Sequence, residues 1–300
     1  MNNFSLADLE GIDHRQPILI AGPTASGKSD LALQIAGRYG GLVVNADAIQ
    51  VYSNWRVLSA RPSQQDEAEI DHALYGHLGR EVNYSVGHWL RDLKPLLSGD
   101  KRPIITGGTG LYFTALTQGL AELPQISESI RKEANARVQK FGYQILLEDI
   151  DAETRKKLDI QNPMRVQRAW EVQKETGKSL SYWHSQTPAP DLPLAHCCAI
   201  VMKTDTEWLN TRIAQRFDKM IMAGALQEAE LQLPSWDESL LSSKAIGARE
   251  LIAHLRGQLS LEEAKQSATI ATRQFAKRQR TWFRSKMKNW HWVDAAHSLG

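Results

Sequence analysis

Gly22, Pro23, Thr24, Ala25, Ser26, Gly27, Lys28 and Ser29 fit the spacing G-x-x-x-x-G-K-[ST], which is built to hold phosphate. The glycines let successive backbone amides turn inward around phosphate oxygens, Lys28 supplies a full positive charge, and the Ser29 hydroxyl suits Mg²⁺. Such a loop works only between a strand and a helix. Both flanks are legible: residues 17–21 (PILIA) are a short β-rich apolar run, and Leu31, Leu33, Ile35 and Ala36 follow at helical spacing. The start of that helix adds the positive end of its dipole. The residues ask for a diphosphate and leave open what it is attached to; ATP would fit the same loop.

Asp47 follows a second apolar run, Leu42–Asn45. In a parallel sheet the carboxyl ends of the strands open on one crevice, so Asp47 is expected to face the phosphate loop. A carboxylate beside phosphate is unfavourable unless it moves a proton or binds metal, although Asp is also a favoured helix N-cap. The run Thr106-Gly107-Gly108-Thr109-Gly110 ends a further strand. Its glycines fit a close approach of backbone to ligand, with the Thr109 hydroxyl in the same crevice, and fit a plain strand-to-helix turn equally well.

These groups need a scaffold. Apolar runs at 17–21, 42–45, 103–106 and 196–202, separated by stretches of helical length, predict an α/β fold, a parallel sheet covered by helices in the manner of phosphate-loop NTPases. From about 124 to 184 the strand signals vanish, while 131–141 and 163–174 show helical spacing. Residues 1–123 and 194–300 are therefore expected to form the core and 124–193 a helical insertion, closed by a segment holding Pro188, Pro190 and Pro193. Long helices are predicted at 211–223 and 261–287.

Composition narrows the class. The chain has 300 residues, 42% hydrophobic and 23% charged, enough for a large core. Its two cysteines, Cys197 and Cys198, are adjacent, which argues against a disulfide framework and for a reducing, cytoplasmic setting. Asp8, Glu10 and Asp13 do not suit a signal peptide, and the uncharged stretch 103–121 is too broken by glycine and threonine to span a membrane. Net charge is only +2, yet eight Lys or Arg and no Asp or Glu lie between 264 and 293, a surface suited to a polyanion.

GPTASGKS at 22–29, DAIQVY at 47–52, ARP at 60–62, GGTGLYF at 107–113, QNPMRVQRAWEV at 161–172, AIGARE at 245–250 and TRQFAKRQRTWFR at 272–284 occur in this order. Together they closely resemble the bacterial tRNA dimethylallyltransferases, the isopentenyl-diphosphate:tRNA transferases. The resemblance implies transfer of a dimethylallyl group from dimethylallyl diphosphate to the N6 amine of the adenosine 3′ to the anticodon, with Mg²⁺ as cofactor. On this match Asp47 is the general base, Thr109 contacts the same adenine, and Arg216 lies near the diphosphate held by residues 22–29. Arg212 and Arg216, four apart, also fit an ordinary surface pair. The match further sets Ala48, Ile49, Gln50, Arg131, Gln161, Asn162, Pro163, Met164, Arg165, Lys244 and Arg249 along the tRNA path, with Lys277, Arg280 and Arg284 on the basic segment. Trp282 and Phe283 fit the core side of that helix. A monomer binding the anticodon stem-loop, with no membrane contact, is expected.

Three departures bear on local contacts: the family's usual Ser after the catalytic Asp is Ala48, its GTAKP reads LSARP at 58–62, and its GYKE reads GARE at 247–250. Two other functions fit parts of the pattern. A phosphate-loop kinase would use ATP in the same loop, and a tRNA-binding protein without catalysis would have no need of both Lys28 and Asp47.

Overall fold

The computed structural model describes residues 9–296. Six strands, β1 (Ile18–Ala21), β2 (Leu42–Asn45), β3 (His72–Ala73), β4 (Pro103–Gly107), β5 (Cys198–Lys203) and β6 (His291–Asp294), pair in the order β3-β2-β4-β1-β5-β6. Every pairing is parallel, with Ile18 opposite both Ile104 and Cys198. Parallel strands need covered faces. The two-residue alternation supplies them: Leu19, Ala21, Val44, Ile105 and Val201 pack on one face, and Ile18, Ile20, Val43, Ile104 and Ile200 on the other.

The second face is covered by α1 (Lys28–Tyr39) through Leu31 and Ile35. The first receives Trp89 and Leu93 of α3 (Val86–Leu97) and Tyr112, Phe113 and Leu116 of α4 (Gly110–Gln118). A short α2 (Gln64–Glu69) lies between β2 and β3 in the chain. Trp89 is fully buried, stacks on Tyr112 with ring centroids 4.6 Å apart, and donates its indole N–H to the Asn45 carbonyl at 2.7 Å.

Residues Gln118–Pro190 form a second compact unit, helical throughout: α5 (Glu128–Phe141), α6 (Ala152–Lys157), α7 (Pro163–Thr176) and α8 (Leu180–Ser185). Its own core gathers Ala134, Leu146, Ile150, Val166 and Trp170. The unit leaves the chain earlier than the bounds 124 and 193 expected from composition. Before the last proline of the linker the chain has rejoined the core, because Leu192 is buried there and its N–H donates to the Leu116 carbonyl at 3.1 Å.

After β5 come α9 (Thr206–Met222), α10 (Ala225–Gln232), α11 (Ala248–Leu255) and α12 (Leu261–Lys286). The α9 helix begins earlier than its apolar spacing suggested because Asp205 caps it, accepting from the amides of Glu207 and Trp208. Ser260 and Glu263 form a reciprocal capping box at the start of α12. The sequence reading missed β3 and β6. Two residues are too few to show alternation, and His291–Asp294 has one fully buried side chain, Val293. The run expected as a strand at 196–202 begins at Cys198, with a 3-10 turn at Leu194–His196 before it. No helix among the described residues is long and apolar enough to cross a membrane.

Trp89→Phe keeps the stacking on Tyr112 and deletes the buried bond to Asn45. Urea unfolding should show a loss of about 1–3 kcal/mol, the cost of an unmet buried polar group; no change in midpoint would assign that carbonyl another partner.

Candidate active site

The loop between β1 and α1 takes its shape from two left-handed residues, Ala25 at φ 63° and Gly27 at φ 85°. Alternation of left- and right-handed backbone curls successive amides toward one point and makes an anion nest. Gly22 donates to the Gly107 carbonyl, Thr24 to the Gln279 side chain and Ser26 to the Pro23 carbonyl. The amides of Ala25, Gly27, Lys28 and Ser29 have no acceptor among the described residues. Ser26 Oγ is buried and unpartnered, and Gly22 is fixed as glycine, since a Cβ there would lie 2.9 Å from Met202 Cβ.

Two cavities open on this loop. One, of about 380 Å³, is lined by Lys28, Ser29, Arg61, Tyr75, Arg212, Arg216 and Lys219 among others, a strongly basic wall. The second, of about 550 Å³, is bounded by Asp47, Ala48 and Thr109 and by apolar side chains including Leu58, Leu111, Ile213, Phe217, Met220, Phe275 and Trp282. Lys28, Gln50 and Arg216 border both. Arg212 and Arg216 are thus cavity residues rather than a solvated surface pair, and Arg212 Nε donates to the Ala25 carbonyl at 3.0 Å.

Asp47 is not a helix N-cap, because residues 48–51 form a turn and no helix follows. Its Oδ1 accepts the Ile49 amide at 2.9 Å, closing an Asx turn, while Oδ2 faces Gly108. Asn45, fully buried, holds the backbone of Asp47 from both sides: its Oδ1 accepts the Asp47 amide at 2.8 Å and its Nδ2 donates to the Asp47 and Leu74 carbonyls, each at 3.0 Å. Asn45 was not anticipated as a site residue; it reads as part of a strand. The Thr109 hydroxyl accepts the Ala48 amide at 2.9 Å, which leaves its own proton to point into the apolar cavity.

The glycines of the β4 loop meet packing needs of the protein itself, and Gly108 and Gly110 also line the apolar cavity. A Cβ on Gly107 would lie 2.1 Å from the Ala46 carbonyl oxygen, one on Gly108 2.2 Å from Gln279 Nε2, and one on Gly110 2.2 Å from Trp282 Cδ1. Trp282 is half-buried on the cavity wall, whereas Phe283 is core.

The other candidates divide by position. Gln50 spends its amide donor on the Ser59 and Ala60 carbonyls, at 2.9 and 3.0 Å, leaving its oxygen toward the cavities. Ile49 and Lys244 line the apolar cavity, and Arg249 is solvent-exposed. Lys277 and Arg284 are exposed on α12, but Arg280 is half-buried and donates to Thr206 Oγ1 at 2.6 Å. In the helical unit Asn162 caps α7 through the Arg165 amide and Pro163 opens that helix. Gln161, Met164 and Arg165 are exposed, and Arg131 and Met164 line a groove of about 450 Å³ with Arg168. Arg278, on the wall of the apolar cavity, was overlooked because the basic run looks uniform in sequence.

Burial, reinforced by the Arg216 charge, lowers the Lys28 ammonium to about 8, with Asp47 and Asp30 pulling the other way. Burial also lowers Arg216, again opposed by Asp47. Tyr75 and Tyr112 are raised, first by burial and then by the Asp47 charge. An anion in the loop favours charged Lys28, so binding takes up a proton wherever the amine is neutral. Pyrophosphate affinity measured calorimetrically between about pH 7 and pH 9 should therefore fall relative to that of Lys28→Met, which is weaker at the lower pH and loses less with rising pH. Parallel pH profiles would contradict a titrating Lys28.

The IPP transferase family profile matches residues 50–286, and an isopentenyl transferase profile matches residues 16–75. A tRNA dimethylallyltransferase of Ruegeria sp. is 54% identical over 96% of this chain and 99% of its own length; that of Roseobacter denitrificans is 58% identical over 92% and 97%. The crystal structure of the full-length tRNA isopentenylpyrophosphate transferase from Bacillus halodurans superposes with a TM-score of 0.67 at 29% identity, covering 94% of this chain and 90% of that one. The sequence motifs, the parallel sheet and the phosphate loop facing Asp47 converge with these matches: the chain belongs to the IPP transferase family of tRNA-modifying prenyltransferases.

Proposed function

We propose that this chain transfers a dimethylallyl group from dimethylallyl diphosphate to the N6 amine of the adenosine 3′ to the anticodon, releasing diphosphate. The observation that carries this reading is the pair of cavities, one basic and one apolar, meeting at Lys28, Gln50 and Arg216. A prenyl diphosphate has that same division, a polyanion joined to a hydrocarbon at one C–O bond. With the diphosphate on the free amides of the loop, the breaking bond lies at the boundary, and the apolar wall receives the prenyl group.

As the C–O bond breaks, its electron pair leaves with the diphosphate, opposed by Lys28, Arg216 and the loop amides, whose placement costs no reorganisation. The N6 lone pair forms the new C–N bond. Because that lone pair is delocalised into the ring, the amine becomes acidic only as the bond forms, and Asp47 Oδ2 takes the proton. Thr109, whose hydroxyl accepts the Ala48 amide and has its own O–H to give, donates to the adenine. The adenine reaches this crevice only if it leaves the anticodon stack, a flip whose cost is recovered by stacking and hydrogen bonds inside the cavity.

Mg²⁺ fits the loop through the Ser29 hydroxyl. Among the described residues no cluster of three His, Cys, Asp or Glu side chains competes for it, and this ion accepts one or two protein oxygens when phosphate and water complete its shell. Bound there it would neutralise charge on the leaving diphosphate. The exposed cations Lys277 and Arg284 supply phosphate contacts in this reading, Arg249 reads bases of the loop, and Arg131, Gln161, Met164 and Arg165 of the helical unit lie along the tRNA path. The reaction is assigned to a cytoplasmic monomer.

Incubating bulk tRNA with dimethylallyl diphosphate and Mg²⁺ should add one prenyl unit to an adenosine, read by nucleoside mass spectrometry. Asp47→Ala should lower turnover by roughly 10² to 10⁴ with tRNA affinity nearly unchanged. Phosphoryl transfer from ATP with tRNA left unmodified would establish the kinase reading, which the apolar walls of the second cavity disfavour.

The basic helix has its own test. Lys277→Ala and Arg284→Ala should each flatten the log–log salt dependence of tRNA binding by about 0.7, similarly for different tRNAs, while Arg280→Ala acts on stability through Thr206. Unchanged slopes for Lys277→Ala and Arg284→Ala would take this face out of the tRNA path.

A further inference from the structure

Among the ten described residues that are polar or charged and buried, Gln279 occupies an unusual position. It lies on α12, more than 250 residues from the phosphate loop in sequence, and only 5% of it is exposed. Its two amide atoms bond to different active-site loops. Oε1 accepts the Thr24 amide at 2.9 Å, and Nε2 donates to the Gly108 carbonyl at 2.9 Å.

The helix packs closely on the second loop. A Cβ on Gly108 would lie 2.2 Å from Gln279 Nε2, and one helical turn on, a Cβ on Gly110 would lie 2.2 Å from Trp282 Cδ1. A glutamine amide is planar, with a fixed separation between acceptor and donor, so bonding both loops at once sets the distance between them. The Thr24 amide is also withdrawn from the nest, which leaves phosphate to the amides of Ala25, Gly27, Lys28 and Ser29.

We propose that Gln279 is a positioning residue that holds the phosphate loop in register with the loop carrying Thr109. The proposal rests on the reading that the donor's diphosphate sits on the first loop and the acceptor amine against Asp47 and Thr109. Each half of the site would survive the loss of Gln279, since the nest is formed by the backbone of residues 25–29 and Asp47 is held by Asn45. What would be lost is the alignment of the two. Misplacement of reacting groups by about 1 Å costs on the order of 10²-fold in rate.

Gln279→Met keeps the volume and removes both bonds. Its kcat should fall about 10- to 100-fold, with KM for dimethylallyl diphosphate and for tRNA within about threefold of wild type. Gln279→Asn, too short to span both loops, should show the same split to a smaller degree and serves as the deciding variant if Gln279→Met does not fold. Loss confined to KM, or kcat within twofold of wild type in a folded variant, overturns the proposal.

A second measurement needs no turnover. Adding pyrophosphate should slow deuterium exchange at the Ala48 amide, which bonds to Thr109 Oγ1, in the wild type and not in the variant. Equal slowing in both proteins, or none in either, also overturns it. A wild-type protein that leaves tRNA unmodified but transmits pyrophosphate binding from one loop to the other in this way would refute the assigned reaction and leave the role of Gln279 standing.

Discussion

The ends of β2 and β4 approach so closely, at Ala46 and Gly107, that no side chain other than hydrogen fits between them. From that contact the two chains continue as a paired extension of the sheet. The Ala46 amide donates to the Thr106 carbonyl at 2.8 Å, the Thr109 amide to the Ala46 carbonyl at 3.2 Å, and the Ala48 amide to the Thr109 hydroxyl at 2.9 Å. Asp47 and Thr109 come from distant parts of the sequence but share one rigid frame because the strand pairing is carried past the strand ends. A catalytic carboxylate set on such a frame loses little orientational freedom when substrate arrives.

Electrostatics impose the second constraint. Lys28 and Arg216 are buried cations in this wall: burial lowers both, the Arg216 charge adds to the effect on Lys28, and the Arg212 charge adds to it on Arg216. Neighbouring like charges are unfavourable in the free protein and become favourable when a polyanion lies between them. In the proposed reaction that repulsion would be relieved by the diphosphate, most fully when charge on the leaving oxygens is greatest. On the other side of the boundary, the apolar wall would, in the proposed reaction, keep water from competing with the adenine for the prenyl carbon.

The departures from the usual family motifs have local explanations. Ala48 contributes its backbone amide to Thr109, a contact that does not need a serine hydroxyl. Arg61 lies over Gly76, donates to the Tyr52 carbonyl at 3.2 Å and lines the basic cavity, so the positive charge expected from the usual lysine is retained there. Ala248 is fully buried at the start of α11, within the apolar cluster that holds Phe217 and Leu251.

The phosphate loop, Asp47 and Thr109 were legible in the sequence because each depends on a short local pattern: a strand, a few residues with special backbone needs, and a helix. The helical insertion was legible for a related reason, the change of apolar period from two to 3.6. Contacts between distant segments leave no such periodic trace. Gln279 sits in a basic run where its neighbours invite an electrostatic reading, Arg280 in the same run turns inward to Thr206, and Asn45 looks like any strand end. The glycines at 107, 108 and 110 fitted a ligand loop and a plain turn equally well, and the structure sets them against Ala46, Gln279 and Trp282, with Gly108 and Gly110 also on the cavity wall. Sequence alone determined which groups could do chemistry, since residue type and local backbone requirements are written in short patterns. Only the tertiary structure decided which of them face one crevice, because that depends on strand order and on which face of α12 packs against the loops.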